Sequence, residues 1–548
     1  MDDIIIIEKN QVCVARDGTT LYCDIYRPND DGKYPILINR FLDGKDSNQY
    51  HYLDLHAMVL EGYVVLIQDV RGRHKSEGTF YPLRNEQEDG YDTVEWAASL
   101  PFSNGKIGMF GDGYSGFTQL AAANANPPHL QALFPIQTFS KLSDITHDNG
   151  IFKLEQSVNW ALSLSKNEIT RINSNKDTKK DLLFHWQAYT DQLKQFYFFR
   201  PIEKLPIFKM LHAGNYFYSF ITKNTSSSFV VNKTIPSFFV SGWYDAFLQS
   251  TIKAFQDASD ETSTPHTLFI GPWARNQFTK VVGERSFGSA ASVDSLGQDI
   301  SLTDLHLRWF DRWLKEQENG IDEEAPVYLF VMGINKWRKE KQWPPEQTEP
   351  FTLFLNHSDK GRHLSIKEPS SFRDKLSFDP NKPAPTHGGS LIFEPLIGPR
   401  DQRIIQTRND ILVYMSHELE QPIEVIGAAT LTVEIQIDTP TTDLTAKLLD
   451  ISPDGTAYNL CDGIIALHHH REGRMIQLQL PPTANQFKKG HRIGIELSAS
   501  NFPQYAPNLN TGEDRLETKD VVKAKLIFTN SNEHKATLSL PITKTPLM

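Results

Sequence analysis

Cysteine is scarce in this chain: three in 548 residues, at Cys13, Cys23 and Cys461. An odd number without metal-type spacing excludes a disulfide framework and a zinc cluster, so buried reduced thiols are expected, with no metal and no cofactor. Basic charge is short too, with 56 Lys and Arg against 67 Asp and Glu and a formal net charge of −11. No basic block supplies the clustered cations on which nucleic-acid affinity rests. Long apolar runs are also missing. The start, MDDIIIIEKN, places only four consecutive apolar residues behind two acids. A signal peptide needs a basic start and a longer apolar core, and a spanning helix needs roughly 20 apolar residues. The expectation is a cytoplasmic protein without a nucleic-acid or membrane partner. The 39% hydrophobic and 22% charged content describes a globular chain, and its length asks for two or three domains.

The stretch Lys106–Phe117, KIGMFGDGYSGF, is where chemistry is expected. An apolar run, Ile107–Phe110, enters a glycine-rich turn, and Thr118–Ala123 continues as a good helix former. That is the context of a nucleophile elbow, which needs small residues two before and two after its nucleophile because strand and helix approach closely. Gly111 and Ser115 satisfy the demand around position 113, and Gly116 extends it. Yet position 113 is glycine.

Around this stretch, strand and helix signals alternate. Ile4–Ile7, Gln11–Ala15 and Thr20–Tyr26 read as strands, followed by Tyr34–Asn39, Tyr63–Asp69, Lys106–Phe110, Leu130–Ile136, Pro236–Gly242 and His266–Gly271. Helical patterns at Glu86–Leu100 and Phe117–Ala125 lie between them. This predicts an α/β fold with a largely parallel sheet in α/β-hydrolase order, built from 1–139 and 235–320. Residues 140–234 carry aromatics at helical spacing, at Phe152–Leu164 and Lys179–Phe199, and predict a helical cap. After a helix at Ser301–Gln317, short alternating runs beginning at Val327–Met332 predict a C-terminal all-β sandwich or jelly roll over 321–548.

Ordered motifs carry a resemblance across nearly the whole chain. They are Asp69-Val70-Arg71-Gly72 with Ser76-Glu77-Gly78, Asp89-Gly90-Tyr91-Asp92, Gly108-Met109-Phe110-Gly111, Gly242-Trp243-Tyr244-Asp245 and Gly271-Pro272-Trp273. Leu307-Arg308-Trp309-Phe310-Asp311, Gly398-Pro399-Arg400-Asp401-Gln402 and Asp450-Ile451-Ser452-Pro453-Asp454-Gly455 continue the series. The chain resembles the cocaine-esterase-like (CocE/NonD) hydrolases, relatives of the X-Pro dipeptidyl-peptidases. The resemblance implies a hydrolase domain, a helical cap, a C-terminal jelly roll, and ester or amide cleavage by a Ser–His–Asp triad.

Residue by residue, the resemblance puts the triad acid at Asp245 but the nucleophile at Gly113, which has no side chain. The base falls at Arg275, in Gly271-Pro272-Trp273-Ala274-Arg275, and a guanidinium stays protonated and cannot accept a proton. The family's oxyanion tyrosine falls at Leu42, in Asn39-Arg40-Phe41-Leu42-Asp43. Only the backbone N–H of Tyr114 remains as an oxyanion donor. A single engineered change at Gly113 would leave Arg275 and Leu42 unexplained, so natural loss of the site accounts for more.

Substitutes are available on paper. Ser115 is a hydroxyl two positions on, but Phe117 at its +2 position would clash where helix and strand meet; its bland role is a small residue in the first helical turn. Asp112 stands one place too early and is expected to be solvated or salt-bridged. Arg275 is expected to form a bidentate ion pair with Asp245, with recognition of an anionic ligand as the alternative. His468-His469-His470 would point to alternating sides of a strand and not converge on an ion. Three readings stay open: a degenerate hydrolase binding a small acyl or peptide-like ligand, an active hydrolase using Ser115 or water, and a protein that binds through its C-terminal domain.

Overall fold

The opening hairpin follows from alternation. β1 (Ile5–Val14) pairs antiparallel with β2 (Thr20–Pro28). Ile4–Ile7 and Gln11–Ala15, expected as two strands, fall on one. A register shift between Glu8 and Gln11, with Asn10 at a left-handed φ of 56°, bends the strand without ending it. This computed structural model describes residues 4–47, 52–171, 176–205, 231–297, 300–359, 361–369, 371–393, 395–470, 473–531 and 533–543.

The parallel strands follow as β3 (Tyr34–Phe41), β4 (Val64–Asp69), β5 (Ser103–Asp112), β6 (Leu130–Ile136), β7 (Ser237–Tyr244) and β8 (His266–Ala274). Every residue of β4, β7 and β8 is buried, as strands covered on both faces require. Two further strands, β9 (Val327–Val331) and β10 (Lys336–Glu340), complete a ten-stranded sheet in the order β1-β2-β4-β3-β5-β6-β7-β8-β9-β10. Val327–Met332 therefore does not open the sandwich. It pairs parallel with β8, Leu268 opposite Val327. A short apolar run carries no mark of the sheet it will join.

Helices α1 (Leu55–Leu60), α2 (Glu86–Ala98) and α3 (Tyr114–Asn124) follow β3, β4 and β5. Gly90 of α2 lets the helices close up, since a Cβ there would lie 2.6 Å from Ala122 Cβ. The cap supplies α4 (Leu142–Thr146), α5 (Leu154–Arg171), α6 (Lys176–Asp191) and α7 (Leu193–Phe196), and the expected cap residues 206–230 lie outside the described residues. Leu154, Val158, Ala161 and Leu162 of α5 bury against Tyr114, Phe117 and Phe139 in an apolar cluster separate from the main core. After the cap come α8 (Leu248–Ser259) and α9 (Leu302–Leu314), the latter opened by a Ser301–Asp304 capping box. Gly108 of β5 faces Phe310 of α9, whereas Gly111, three residues on, faces Asn39 and Ser115, so α9 and α3 cover opposite faces. From Thr348 to Thr543 the chain is β-rich, and its strands form one hydrogen-bonded network of 13. Cys13, Cys23 and Cys461 are free and buried, and burial pushes the Cys13 thiol up to about 11.

A buried charge network supports the turn between β5 and α3. Arg40, at the end of β3, reaches Glu86 Oε2 at 2.8 Å and donates from Nε to Gln68 Oε1 at 2.9 Å. Glu86 in turn accepts from the Tyr114 hydroxyl at 2.9 Å. Replacing Arg40 strands the Glu86 carboxylate in the interior, whereas Asp89 keeps its bonds from Arg71. Arg40→Met is expected to cost about 3–5 kcal/mol, read from urea denaturation.

Candidate functional site

The elbow forms where the sequence places it. Gly113 joins β5 to α3 with φ 55° and ψ −113°, a conformation that L side chains rarely adopt. Close approach explains its neighbours. A Cβ on Gly111 would lie 2.3 Å from Asn39 Nδ2, and one on Gly116 would lie 2.6 Å from Thr138 Cβ. The backbone geometry of a nucleophile-bearing turn is thus present without the nucleophile.

Arg275, at the end of β8, occupies the space above the turn. A Cβ on Gly113 would lie 2.1 Å from Arg275 Nη2. The guanidinium is tethered there, with Nη2 2.8 Å from Asp112 Oδ2 and Nη1 donating to Gln137 O at 3.2 Å and Gln137 Oε1 at 3.3 Å. It also lies over the Phe247 ring, 5.7 Å from the centroid. Asp112 is oriented from its other side by the Tyr52 hydroxyl, which donates to Oδ1 at 2.7 Å.

The expected Arg275–Asp245 ion pair is therefore corrected: the partner is Asp112. The arginine side chain is long enough to pass the aspartate and reach the elbow strand. Asp245 accepts from Ser241 Oγ at 3.1 Å and from the Phe247 backbone N–H, while its Oδ1 has no hydrogen-bond partner among the described residues. Burial raises the Asp245 carboxyl to about 6, opposed by the nearby Arg275 charge.

Ser115 is corrected as a substitute nucleophile. It is 1% exposed, and its Oγ donates to the Arg40 carbonyl at 2.9 Å, behind the elbow. The bland reading of a small residue in the first turn of α3 accounts for it. Asp112 is a salt-bridged carboxylate, as expected. His469 Nδ1 lies 2.9 Å from the Ile437 carbonyl and His470 Nε2 lies 3.4 Å from Arg474 Nη1, so these rings have separate neighbours.

Leu42, Asp43, Gly113, Tyr114 and Arg275 line one cavity of about 140 Å³. The cap contributes Trp160 and Gln156, and the β-rich domain contributes Ile392 and Phe393. Leu42 is buried and adds an apolar wall. Asp43 is open to the cavity yet ringed by protein beyond it, and this desolvation pushes its carboxyl upward, with Arg73 opposing. Asp245 faces a neighbouring cavity of about 300 Å³ that shares Gln156. Sequence reasoning missed Gln137 and Gln156. Gln137 sits just past β6 with φ 44°, and no motif marks it.

Two measurements test this geometry. Gly113→Ser is expected to destabilise by about 1–3 kcal/mol through backbone strain. It is expected to cost less in an Arg275→His background, where the strain stays and the collision is gone, as a denaturation cycle would show. The second concerns pH. The folded protein holds the Asp245 proton up to about 6, against an ordinary 3.8, so this group's stabilisation is full below 3.8 and lost as pH rises through 6. Asp245→Asn is expected to gain Tm relative to the parent at pH 7.5 and not at pH 4.

Similarity to known proteins agrees with the geometry. Residues 17–275 match the X-Pro dipeptidyl-peptidase (S15 family) model, and residues 319–539 match the X-Pro dipeptidyl-peptidase C-terminal non-catalytic domain. A cocaine esterase from Rhodococcus sp. (strain MB1 Bresler) is 30% identical, over 98% of this chain and 99% of its own. An aminopeptidase from a marine sediment archaeon, Thaumarchaeota archaeon, shares the fold with a TM-score of 0.77 at 21% identity, covering 98% of this chain and 97% of its own. A CocE/NonD family hydrolase from Staphylococcus aureus superposes with a TM-score of 0.68 at 18% identity, over 98% and 94%. With its elbow, cap and β-rich domain in the same order and a full-length relative at that identity, the chain belongs to the CocE/NonD family of hydrolases, within the wider X-Pro dipeptidyl-peptidase group.

Proposed function

We propose that this protein is a CocE/NonD member in which the acyl-enzyme step is closed and the elbow cavity binds a small acyl or peptide-like ligand with a carboxylate end. The carrying observation is the 2.1 Å between a Cβ on Gly113 and Arg275 Nη2: the guanidinium fills the volume a nucleophile would need. Both chemical roles fail together. Glycine offers no attacking atom, and a permanently protonated arginine accepts no proton. Loss of the nucleophile or the base alone costs on the order of 10⁶ in rate in a well-studied triad enzyme.

The same groups favour an anion. Three bonds from Arg275, to Asp112 and twice to Gln137, leave part of its five-donor fork for a ligand oxygen. The Tyr114 N–H opens α3, so the positive end of that helix adds to the attraction. Phe247, Trp160 and Leu42 supply apolar walls for the rest of the ligand. The relatives' names, an esterase and an aminopeptidase, support a ligand drawn from esters, amides or their acid products.

Fluorophosphonate labelling is expected to mark no serine in the protein. A labelled serine that disappears in Ser115→Ala would sink the proposal. N-acetylated dipeptides with a free carboxylate are expected to bind by calorimetry, and Arg275→Gln to abolish that binding. Repair is a third test. Gly113→Ser with Arg275→His should raise 4-nitrophenyl acetate hydrolysis above the parent, and adding Leu42→Tyr should raise it further. A triple variant no faster than the parent would mean that the lost groups do not account for the closed route.

A further inference from the structure

A second cavity lies away from the elbow, where β7 and β8 meet α9 and the β9–β10 hairpin. Its volume is about 330 Å³, within the range of small-ligand sites. The walls are aromatic. Phe238 and Phe269 come from β7 and β8, Tyr328 from β9 and Trp337 from β10. Their rings hold one another in place, with Phe269 centred 4.3 Å from Trp337 and 5.6 Å from Tyr328. Trp337 is fixed further by its Nε1, which donates to the Ala290 carbonyl at 2.7 Å. Such a cavity is preformed for a flat apolar body.

The charged lining has a definite sign. Among the described residues that line it, Arg308, Lys336 and Lys339 stand against one carboxylate, Glu324, an excess of two positive charges in a chain of net charge −11. Arg308 spends its charge on Glu324 at 2.6 Å, and the Tyr328 hydroxyl donates to the same carboxylate. Lys339 lies 3.7 Å from Glu324, with its ammonium 5.1 Å from the Tyr328 ring centroid. Lys336 is exposed and has no carboxylate partner among the described residues. Lys336 therefore offers charge at the rim that no described carboxylate neutralises, and Lys339 shares Glu324 with Arg308.

We propose that this cavity is a binding site for a small aromatic carboxylate, its rings laid against the half-buried faces of Tyr328 and Trp337 and its anionic end toward Lys336 and Lys339. Stacking accounts for the aromatic preference, and the lysines account for the sign. The site stands apart from the elbow, and no residue lines both cavities.

The probe is 2-naphthoate, titrated calorimetrically into the full chain, with 2-naphthylmethylammonium as the cation of matched shape. Saturable binding tighter than about 1 mM is expected for the anion, and binding at least roughly tenfold weaker for the cation. Lys336→Glu with Lys339→Glu, both surface changes that leave the core intact, is expected to weaken naphthoate roughly fivefold or more. Arg275→Gln is expected to leave it unchanged. No saturable binding, equal binding of the cation, or indifference to the lysine changes overturns the proposal. Loss of naphthoate binding on Arg275→Gln alone assigns the anion to the elbow and overturns it equally.

Discussion

The ion pair between Arg275 and Asp112 governs the elbow. It anchors a long, permanently charged side chain across the turn between β5 and α3, in a cleft where both partners are only 12% exposed. Reduced solvation strengthens the pair and raises the cost of breaking it. Gly113 and Arg275 then require each other. A side chain at 113 would drive the guanidinium off its partners, and without the guanidinium the glycine would face an open space. The two departures from the family pattern act as one structural unit.

Asp245 is a buried carboxylate beside the elbow cavity. It sits after β7, held by Ser241 and the Phe247 N–H, but one carboxylate oxygen has no hydrogen-bond partner among the described residues. A buried carboxyl so placed favours its protonated form, which accounts for the rise toward 6. Its field acts on Arg275, whose direct partner is one residue before the elbow. The cavity above is closed by Trp160 from the cap and Ile392 and Phe393 from the β-rich domain, so three parts of the chain shape one pocket. The aromatic cavity beside β9 and β10 is lined by neither the cap nor the β-rich domain. Its rim carries positive charge in an acidic protein, a separate constraint on a separate face.

Much of this was legible in the residues. Alternation placed the hairpin and the parallel strands, and the small residues Gly111, Ser115 and Gly116 located the elbow because close backbone approach excludes anything larger. The chemistry of residues 113 and 275 was legible as well, since glycine lacks an attacking atom and arginine does not give up its proton at any spacing. These are local properties, set by side-chain identity and by the period of the backbone.

Other features needed the folded chain. Val327–Val331 reads like any sandwich strand, and only its ladder with β8 places it in the ten-stranded sheet. Arg275 could reach Asp245 or Asp112, and side-chain length allows both. Gln137 and Tyr52, distant in sequence, tip the balance by offering acceptors to the guanidinium and a donor to Asp112. Residue identity by itself determined that the turn carries no side chain at 113 and that a permanently charged one stands at 275. Tertiary structure alone decided which carboxylate holds the arginine, because that choice rests on the summed hydrogen bonds of groups that no sequence spacing brings together.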